Sequence, residues 1–351
     1  MKCPKCGYEG AEGTFCESCG EQLAAAASAT ATAVAIAAVP DPVTRVVPLH
    51  CACGAGPDKI DTHNVCTICG EIITPPNPRD HLQIRLDARR GAVSDLGHKH
   101  WRNEDSVALV DESIGGEFAT VAVVSDGVSS SESPDEASET ACRTVAPALL
   151  EGLRGGASDL DALMRKAIFA AQDAVVALPY AGKKEPPEAT LLIILVWRGQ
   201  ATIGWLGDSR AYGVRRQDGM VDMLTEDHSW VNDVVNAGEL TLDEALEDRR
   251  AHAVTQSLGR LPSGETLEPS VKTVPLDGFS LLLGCTDGFW NYAHPRQDAP
   301  PQPLIDLMKA APVGQEAVAI AQRCVDFANQ HGGHDNITVA VLTVGKEAAH
   351  V

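Results

Sequence analysis

Three observations predict an α+β fold for the last two-thirds of this 351-residue chain. Apolar runs of strand length recur at Leu82–Leu86, Phe118–Val124, Ala189–Trp197, Ala201–Leu206, Phe279–Gly284 and Ile337–Val344. Two helical patterns fall one after the other between the second and third runs, which reads as a helical hairpin laid on a sheet and not as strand–helix–strand alternation. No Gly-rich phosphate loop or dinucleotide fingerprint interrupts the pattern.

The first 74 residues are organised by cysteine. Of the 11 in the chain, Cys3, Cys6, Cys16 and Cys19 have the spacing C-x2-C-x9-C-x2-C, and Cys51, Cys53, Cys66 and Cys69 the spacing C-x-C-x12-C-x2-C. Gly7, Gly20, Gly54 and Gly70 follow the paired cysteines. A glycine there lets the backbone turn tightly and aim amides at the thiolates. Four thiolates in tetrahedral array make a closed structural zinc site, so two zinc ribbons with one Zn2+ each are expected. In the second set His50 and Cys53 restore the regular spacing, which leaves His50 as the alternative to Cys51. Disulfides are the competing reading, but residues 1–20 show no secretory signal, and Cys142, Cys285 and Cys324 sit like ordinary buried thiols in apolar runs. Modules this small need the metal to hold a core. Neither has a Lys/Arg cluster, so contact with a protein partner is the expected use.

Leu23 to Val39 is mostly Ala and Thr, too weakly apolar for a membrane span, and reads as a linker. Pro75-Pro76-Asn77-Pro78-Arg79-Asp80 marks a boundary. The expected organisation is a ribbon at 1–22, a linker at 23–47, a second ribbon at 48–74 and a main domain at 81–346. In that domain several strand runs are apolar throughout, as in strands covered on both faces. A helix is expected over Asp135–Leu150, distorted at Pro147. Leu160, Leu163, Met164, Ala167, Ile168, Ala171, Val175 and Leu178 follow helical steps behind Ser158 as N-cap. A third helix covers Gly314–Gln330 and stops near Gly332-Gly333.

The net charge of −20 argues against nucleic-acid and membrane partners, which select a basic face. With no secretory signal, a cytoplasmic location is expected. Acidic residues are also arranged in five ordered signatures: Arg102-Asn103-Glu104-Asp105, Ser125-Asp126-Gly127, Gly207-Asp208-Ser209-Arg210, Thr286-Asp287-Gly288 and Asp335-Asn336. One Asp-Gly alone is usually a turn. Carboxylates repeated at the ends of strand runs suit Mg2+ or Mn2+, which take oxygen ligands in octahedral geometry.

The ordered set Asn103-Glu104-Asp105, Ser125-Asp126-Gly127-Val128, Gly207 to Tyr212, Leu224 to Ser229, Val254 to Gly259, Leu282 to Gly288 and Gly333 to Thr338 resembles the PPM-type, metal-dependent protein serine/threonine phosphatases over about residues 85–345. The resemblance implies a sandwich of two antiparallel sheets with helices on both outer faces and a metal centre at one end. Position by position, it implies that Asp126 bridges two Mn2+ or Mg2+ ions, that the Gly127 carbonyl completes one of them, and that Asp287 and Asp335 hold the other. Glu104 and Asp105 would ligate directly or through waters. Asp208 would serve a third ion, and Asn336 would orient the neighbouring carboxylate. Paired ions neutralise a phosphomonoester dianion and lower the pKa of a water between them, so no Ser or Cys nucleophile is needed. The expected substrates are phosphorylated proteins made by a cognate Ser/Thr kinase.

Two positions depart from the family pattern. His100 stands where the family has a phosphate-binding Arg, with Arg102 two residues on; strand alternation would put residues 100, 102 and 104 on one face, so either side chain is a candidate for the substrate phosphate. Val128 stands where many members have a His, which leaves His228 as a proton-donor candidate by composition only. The polar segment between Ser229 and Gly259 is the flap in the family. The competing reading is a catalytically weak, phosphatase-shaped scaffold that recruits partners through its ribbons; the complete carboxylate set argues for the enzyme, because clustered buried charge is costly.

Overall fold

The computed structural model describes residues 53, 59, 66–70, 77–261, 266–312 and 314–344. The chain divides into two compact units, 1–41 and 42–351, and the first lies outside the described residues. Cys3, Cys6, Cys16, Cys19, Cys51 and His50 lie outside them too.

In chain order the elements are β1 (His81–Arg85), β2 (Arg90–Asp95), β3 (Ser106–Ile114), β4 (Glu117–Ser125), α1 (Pro134–Arg154), α2 (Leu160–Val176), β5 (Glu188–Ala189), β6 (Leu191–Trp197), β7 (Gln200–Leu206), β8 (Arg210–Arg215), β9 (Val221–Met223), α3 (Trp230–Asn236), α4 (Leu242–Leu246), β10 (Leu258–Gly259), β11 (Ser270–Pro275), β12 (Phe279–Cys285), α5 (Asp287–Ala293), α6 (Gln302–Lys309), α7 (Ala317–Gln330) and β13 (Ile337–Thr343). One sheet has the order β1-β2-β13-β12-β8-β9 and the other β11-β7-β6-β4-β3, and every pairing in them is antiparallel.

The period of two along each strand builds the layers. On β4, Val121 and Val123 join Leu191, Ile193 and Leu195 of β6 against α1 and α2. The alternate residues Ala122, Val124, Leu192 and Ile194 meet Leu282, Ala340 and Leu342 between the sheets. On the far side Leu283, Val339 and Val341 pack with Phe289, Ile320 and Val325 of α5 and α7. The molecule is thus a helix–sheet–sheet–helix sandwich, and its central strands are apolar on both faces because both are covered. No helix among the described residues is long and apolar enough to cross a membrane.

Some boundaries differ from expectation. Asp159, not Ser158, caps α2, its side chain accepting from Ala162 N at 3.0 Å. Pro147 does not break α1, which runs on to Arg154; the proline is on the exposed face, where water can satisfy the carbonyl left without an N–H partner. α7 starts at Ala317, three positions after Gly314.

Candidate metal centre

Antiparallel pairing brings the acidic signatures to one end of the sandwich. Ser106 of β3 pairs with Ser125 of β4, so Glu104 and Asp105 lead into one strand where Asp126 leaves its neighbour. In the other sheet Cys285 of β12 pairs with both Arg210 and Val339. Asp208 therefore precedes β8, Asp287 follows β12 and Asp335 precedes β13 at the same end.

Two glycines lock these loops together. A Cβ on Gly127 would lie 2.3 Å from Pro134 O and 2.8 Å from Glu104 O, and one on Gly288 would lie 1.9 Å from Asn336 O. Each Asp-Gly pair is thus a point where one acidic loop lies directly on another backbone, which only a residue without a Cβ permits. Thr286, which the sequence shows only as the neighbour of Asp287, ties the two sheets: its Oγ1 donates to Asp105 Oδ2 at 2.8 Å and accepts from Thr338 N at 3.0 Å. Thr190 Oγ1 accepts from Asp126 N at 3.0 Å and lies 2.9 Å from Ser209 Oγ, joining two more of the loops.

Crowding and burial disfavour the ionised carboxylates. Burial, reinforced by Asp335, pushes Asp105 up to about 7. Burial with Asp227 nearby does the same for Asp208, also to about 7. Asp126 and Asp287 are raised well above the usual carboxylate range, first by burial and then by their acidic neighbours. Asp105 Oδ1 and Asp287 Oδ1 are buried without a hydrogen-bond partner. A set of hard oxygens with unfilled lone pairs and mutual repulsion fits divalent Mn2+ or Mg2+, which satisfies both deficits.

The remaining site residues are distributed unevenly. Both Glu104 oxygens already accept hydrogen bonds, Oε1 from Arg102 at 2.7 Å and Oε2 from Ser129, so only its remaining lone pairs reach outward. Asn336 lies between two of the acidic loops. Its side chain accepts from Glu104 N at 2.7 Å and donates to Leu96 O and Arg102 O, so it holds the Asn-Glu-Asp backbone, while its main-chain N–H meets Asp335 Oδ1 at 2.8 Å. Residues 97–103 turn instead of extending, so the expected strand alternation is absent. His100 Nε2 lies 3.2 Å from Asp335 Oδ1, whereas Arg102 is held between Glu104 and Asp135, the latter at 2.9 Å. His228 is engaged on both ring nitrogens, with Gly207 N at 3.3 Å and Ser270 Oγ at 2.9 Å, and burial lowers its pKa. Cys285 is no nucleophile: it is fully buried, donates to Arg210 O at 3.7 Å, and burial pushes its thiol far up.

The segment between Ser229 and Gly259 carries α3 and α4 and frames a cavity of about 70 Å³ with Asp208, Asp287 and Trp290 on the site side. Beneath it lies a second feature sequence reasoning missed. Arg210, 2 % exposed, grips Asp227 with two nitrogens (2.9 and 2.7 Å), donates to His294 O at 2.8 Å and stacks 3.6 Å over Trp290. Trp290 in turn donates to Asp208 O at 2.8 Å. The only sequence signal was Arg210 and Asp227 lying inside two of the quoted motifs.

Apart from this centre, the Sγ atoms of Cys53, Cys66 and Cys69 lie within 4.8 Å of one another. Gly70 turns at φ 76° directly after Cys69, and its N–H donates to Cys66 O at 2.8 Å, the tight knuckle expected from the Cys-x2-Cys-Gly pattern.

The two-sheet sandwich and its acid-lined end are the arrangement expected of a metal-dependent phosphatase. The chain belongs to the protein phosphatase 2C family, whose model matches residues 97–319. It is similar to protein phosphatase PhpP of Streptococcus pneumoniae, 26 % identical over 260 residues covering 73 % of this chain and 98 % of that protein. Among solved structures it resembles the PPM Ser-Thr phosphatase MsPP from Mycobacterium smegmatis in complex with cacodylate, at 28 % identity and TM-score 0.56, covering 73 % of this chain and 98 % of the other. It also resembles the catalytic domain of the serine threonine protein phosphatase PstP in complex with two manganese ions, at 26 % identity and TM-score 0.54, covering 73 % and 97 %.

Proposed function

We propose that this chain hydrolyses phosphoserine and phosphothreonine in proteins phosphorylated by a Ser/Thr kinase, at a centre of two or three Mn2+ or Mg2+ ions. The carrying observation is the convergence of Asp105, Asp126, Asp208, Asp287 and Asp335 on one end of the sandwich, with two carboxylate oxygens buried and unpartnered. Asp126 and the Gly127 carbonyl would hold one ion, Asp287 and Asp335 with Asp126 the second, and Asp208 a third. Glu104 and Asp105 would ligate directly or through metal-bound waters. When bound, such ions neutralise the phosphate and supply a water of lowered pKa. The chain's own residues keep the carboxylates aimed through Thr286 and Asn336 and receive the phosphate through His100, with Arg102 as the other candidate. The catalytic unit is residues 81–346. The thiol cluster of Cys53, Cys66 and Cys69 supports a structural Zn2+ in the 48–74 module, completed by Cys51 or His50; Cys3, Cys6, Cys16 and Cys19 would form the equivalent site at 1–22.

The test is hydrolysis of a phosphopeptide with Mn2+, with and without chelator, in wild type and Asp126→Asn. Chelation should abolish turnover. The Asn variant should keep its fold and lose nearly all activity, since the bridging charge is gone; full activity there would sink the two-ion reading.

A further inference from the structure

We propose that Arg79 is a positioning residue for the metal centre, so that the segment leading in from the cysteine modules sets how tightly the ions are held. The proposal rests on the reading of Asp105 as part of that centre. Arg79 precedes the matched region and belongs to none of the acidic signatures.

The segment is locally fixed. Asn77 Oδ1 accepts from Arg79 N at 3.1 Å, Asp80 Oδ2 accepts from Asn77 N at 3.1 Å, and Asp80 N donates to Asn77 O at 2.8 Å, a side-chain-stabilised turn that aims Arg79 inward. One guanidinium nitrogen then donates to Asp105 O at 3.1 Å, Ser106 Oγ at 3.0 Å and Asp135 O at 3.3 Å, and the other to Glu139 at 2.9 Å. The Arg79 carbonyl accepts from Asn103 Nδ2 at 2.7 Å. The same residue thus grips the Asn-Glu-Asp segment at both ends, at Asn103 and at Asp105. The Asp105 carboxylate has one oxygen held by Thr286 and the other buried without a partner. Beyond the Thr286 contact its direction is set by its main chain, and Arg79 anchors that main-chain carbonyl. A lysine cannot replace the fork, because an ammonium is a point donor and these acceptors lie on different segments. The Glu139 pair is half-exposed and contributes little by comparison.

The full chain is titrated with Mn2+ by calorimetry as wild type, Arg79→Ala, Arg79→Lys and Glu139→Gln, with circular dichroism as a check of folding. Thiolate sites prefer zinc, so Mn2+ reads the carboxylate centre. Arg79→Ala should weaken Mn2+ binding by about 10- to 100-fold, as loss of an outer partner does elsewhere. Arg79→Lys should fold and also bind more weakly than wild type; Glu139→Gln should bind as wild type does. A lower melting temperature with unchanged Mn2+ affinity in Arg79→Ala, or wild-type affinity in Arg79→Lys, would overturn the proposal. So would a loss in Glu139→Gln equal to that in Arg79→Ala, which would route the effect through α1. No Mn2+ binding by wild type would overturn the metal reading itself and this inference with it.

Discussion

At the residue scale, the proposed function separates groups that would hold ions from groups that would meet substrate. Arg102 is committed to Glu104 and Asp135, and its Nε is buried without a partner. His100 leans on Asp335 at 3.2 Å at the rim, from where a ring that turns toward substrate gives up only one contact. His100→Ala should therefore lower kcat/KM by about ten- to a hundredfold at saturating Mn2+, the value of a charge-assisted hydrogen bond to phosphate. Arg102→Ala should instead raise the Mn2+ concentration needed, because Glu104 loses one of its two hydrogen-bond partners. A reversed pattern would move the phosphate role to Arg102. A second residue-scale expectation concerns pH. His81 Nδ1 lies 2.6 Å from Asp95 Oδ2, and that hydrogen bond, against some burial, raises the His81 pKa, with the Asp95 and Asp326 charges adding to it. A raised folded-state pKa contributes stability below the unfolded value near 6.5 and loses it as pH rises through the folded value. His81→Ala should thus lower the urea midpoint relative to wild type at pH 6 and leave a smaller difference at pH 8.5. The acidic residues were legible in sequence because each adjoins a glycine, an asparagine or a strand run. Thr286 and the Arg210–Asp227 pair were not, because their roles come from partners 181 and 17 positions away.

At the scale of elements, the strands covered on both faces were readable, since continuous apolar runs such as Leu191–Trp197 have no other use at that length. β3, β8 and β11 were not readable. The second half of β3 is polar and partly exposed, β8 buries Arg210 and Tyr212 for hydrogen bonding, and β11 is an edge strand with exposed positions. The junction of α5 with β13 shows how packing aims chemistry. Asp287 opens α5, and the next residue, Gly288, lies against the Asn336 carbonyl just before β13. Gly288→Ala forces a methyl into 1.9 Å of space, so α5 or the Asp335-Asn336 loop must move. The expected cost is about 1–3 kcal/mol, the range for overpacking, read as a lower urea midpoint, together with weaker Mn2+ binding because Asp287 and Asp335 separate. A substitution that lowers stability but leaves Mn2+ affinity intact would show that the junction holds the fold without aiming the carboxylates.

At the scale of the whole molecule, the proposed function puts two chemistries of metal binding in one chain. The hard-oxygen centre is built from strand ends spread over Glu104 to Asp335, so it exists only when the sandwich is folded. The proposed thiolate modules would draw all their ligands from short local stretches and would select a softer ion. Purified protein should carry about two zinc per chain on that ligand count, with Mn2+ or Mg2+ exchanging independently. Removing residues 1–74 should take away the zinc and leave hydrolysis of a small phosphate ester in Mn2+ within a few-fold of the full chain, because every residue placed at the carboxylate centre, and Arg79 with its turn, remains. The same truncation on a phosphoprotein substrate separates catalysis from recruitment. If small-ester hydrolysis survives while the protein substrate is processed more slowly through a raised KM, the modules act by holding a partner. If small-ester hydrolysis falls in step with the zinc while the remaining fold is intact, the modules act on the centre itself, and Arg79 is the physical link through which they would do so.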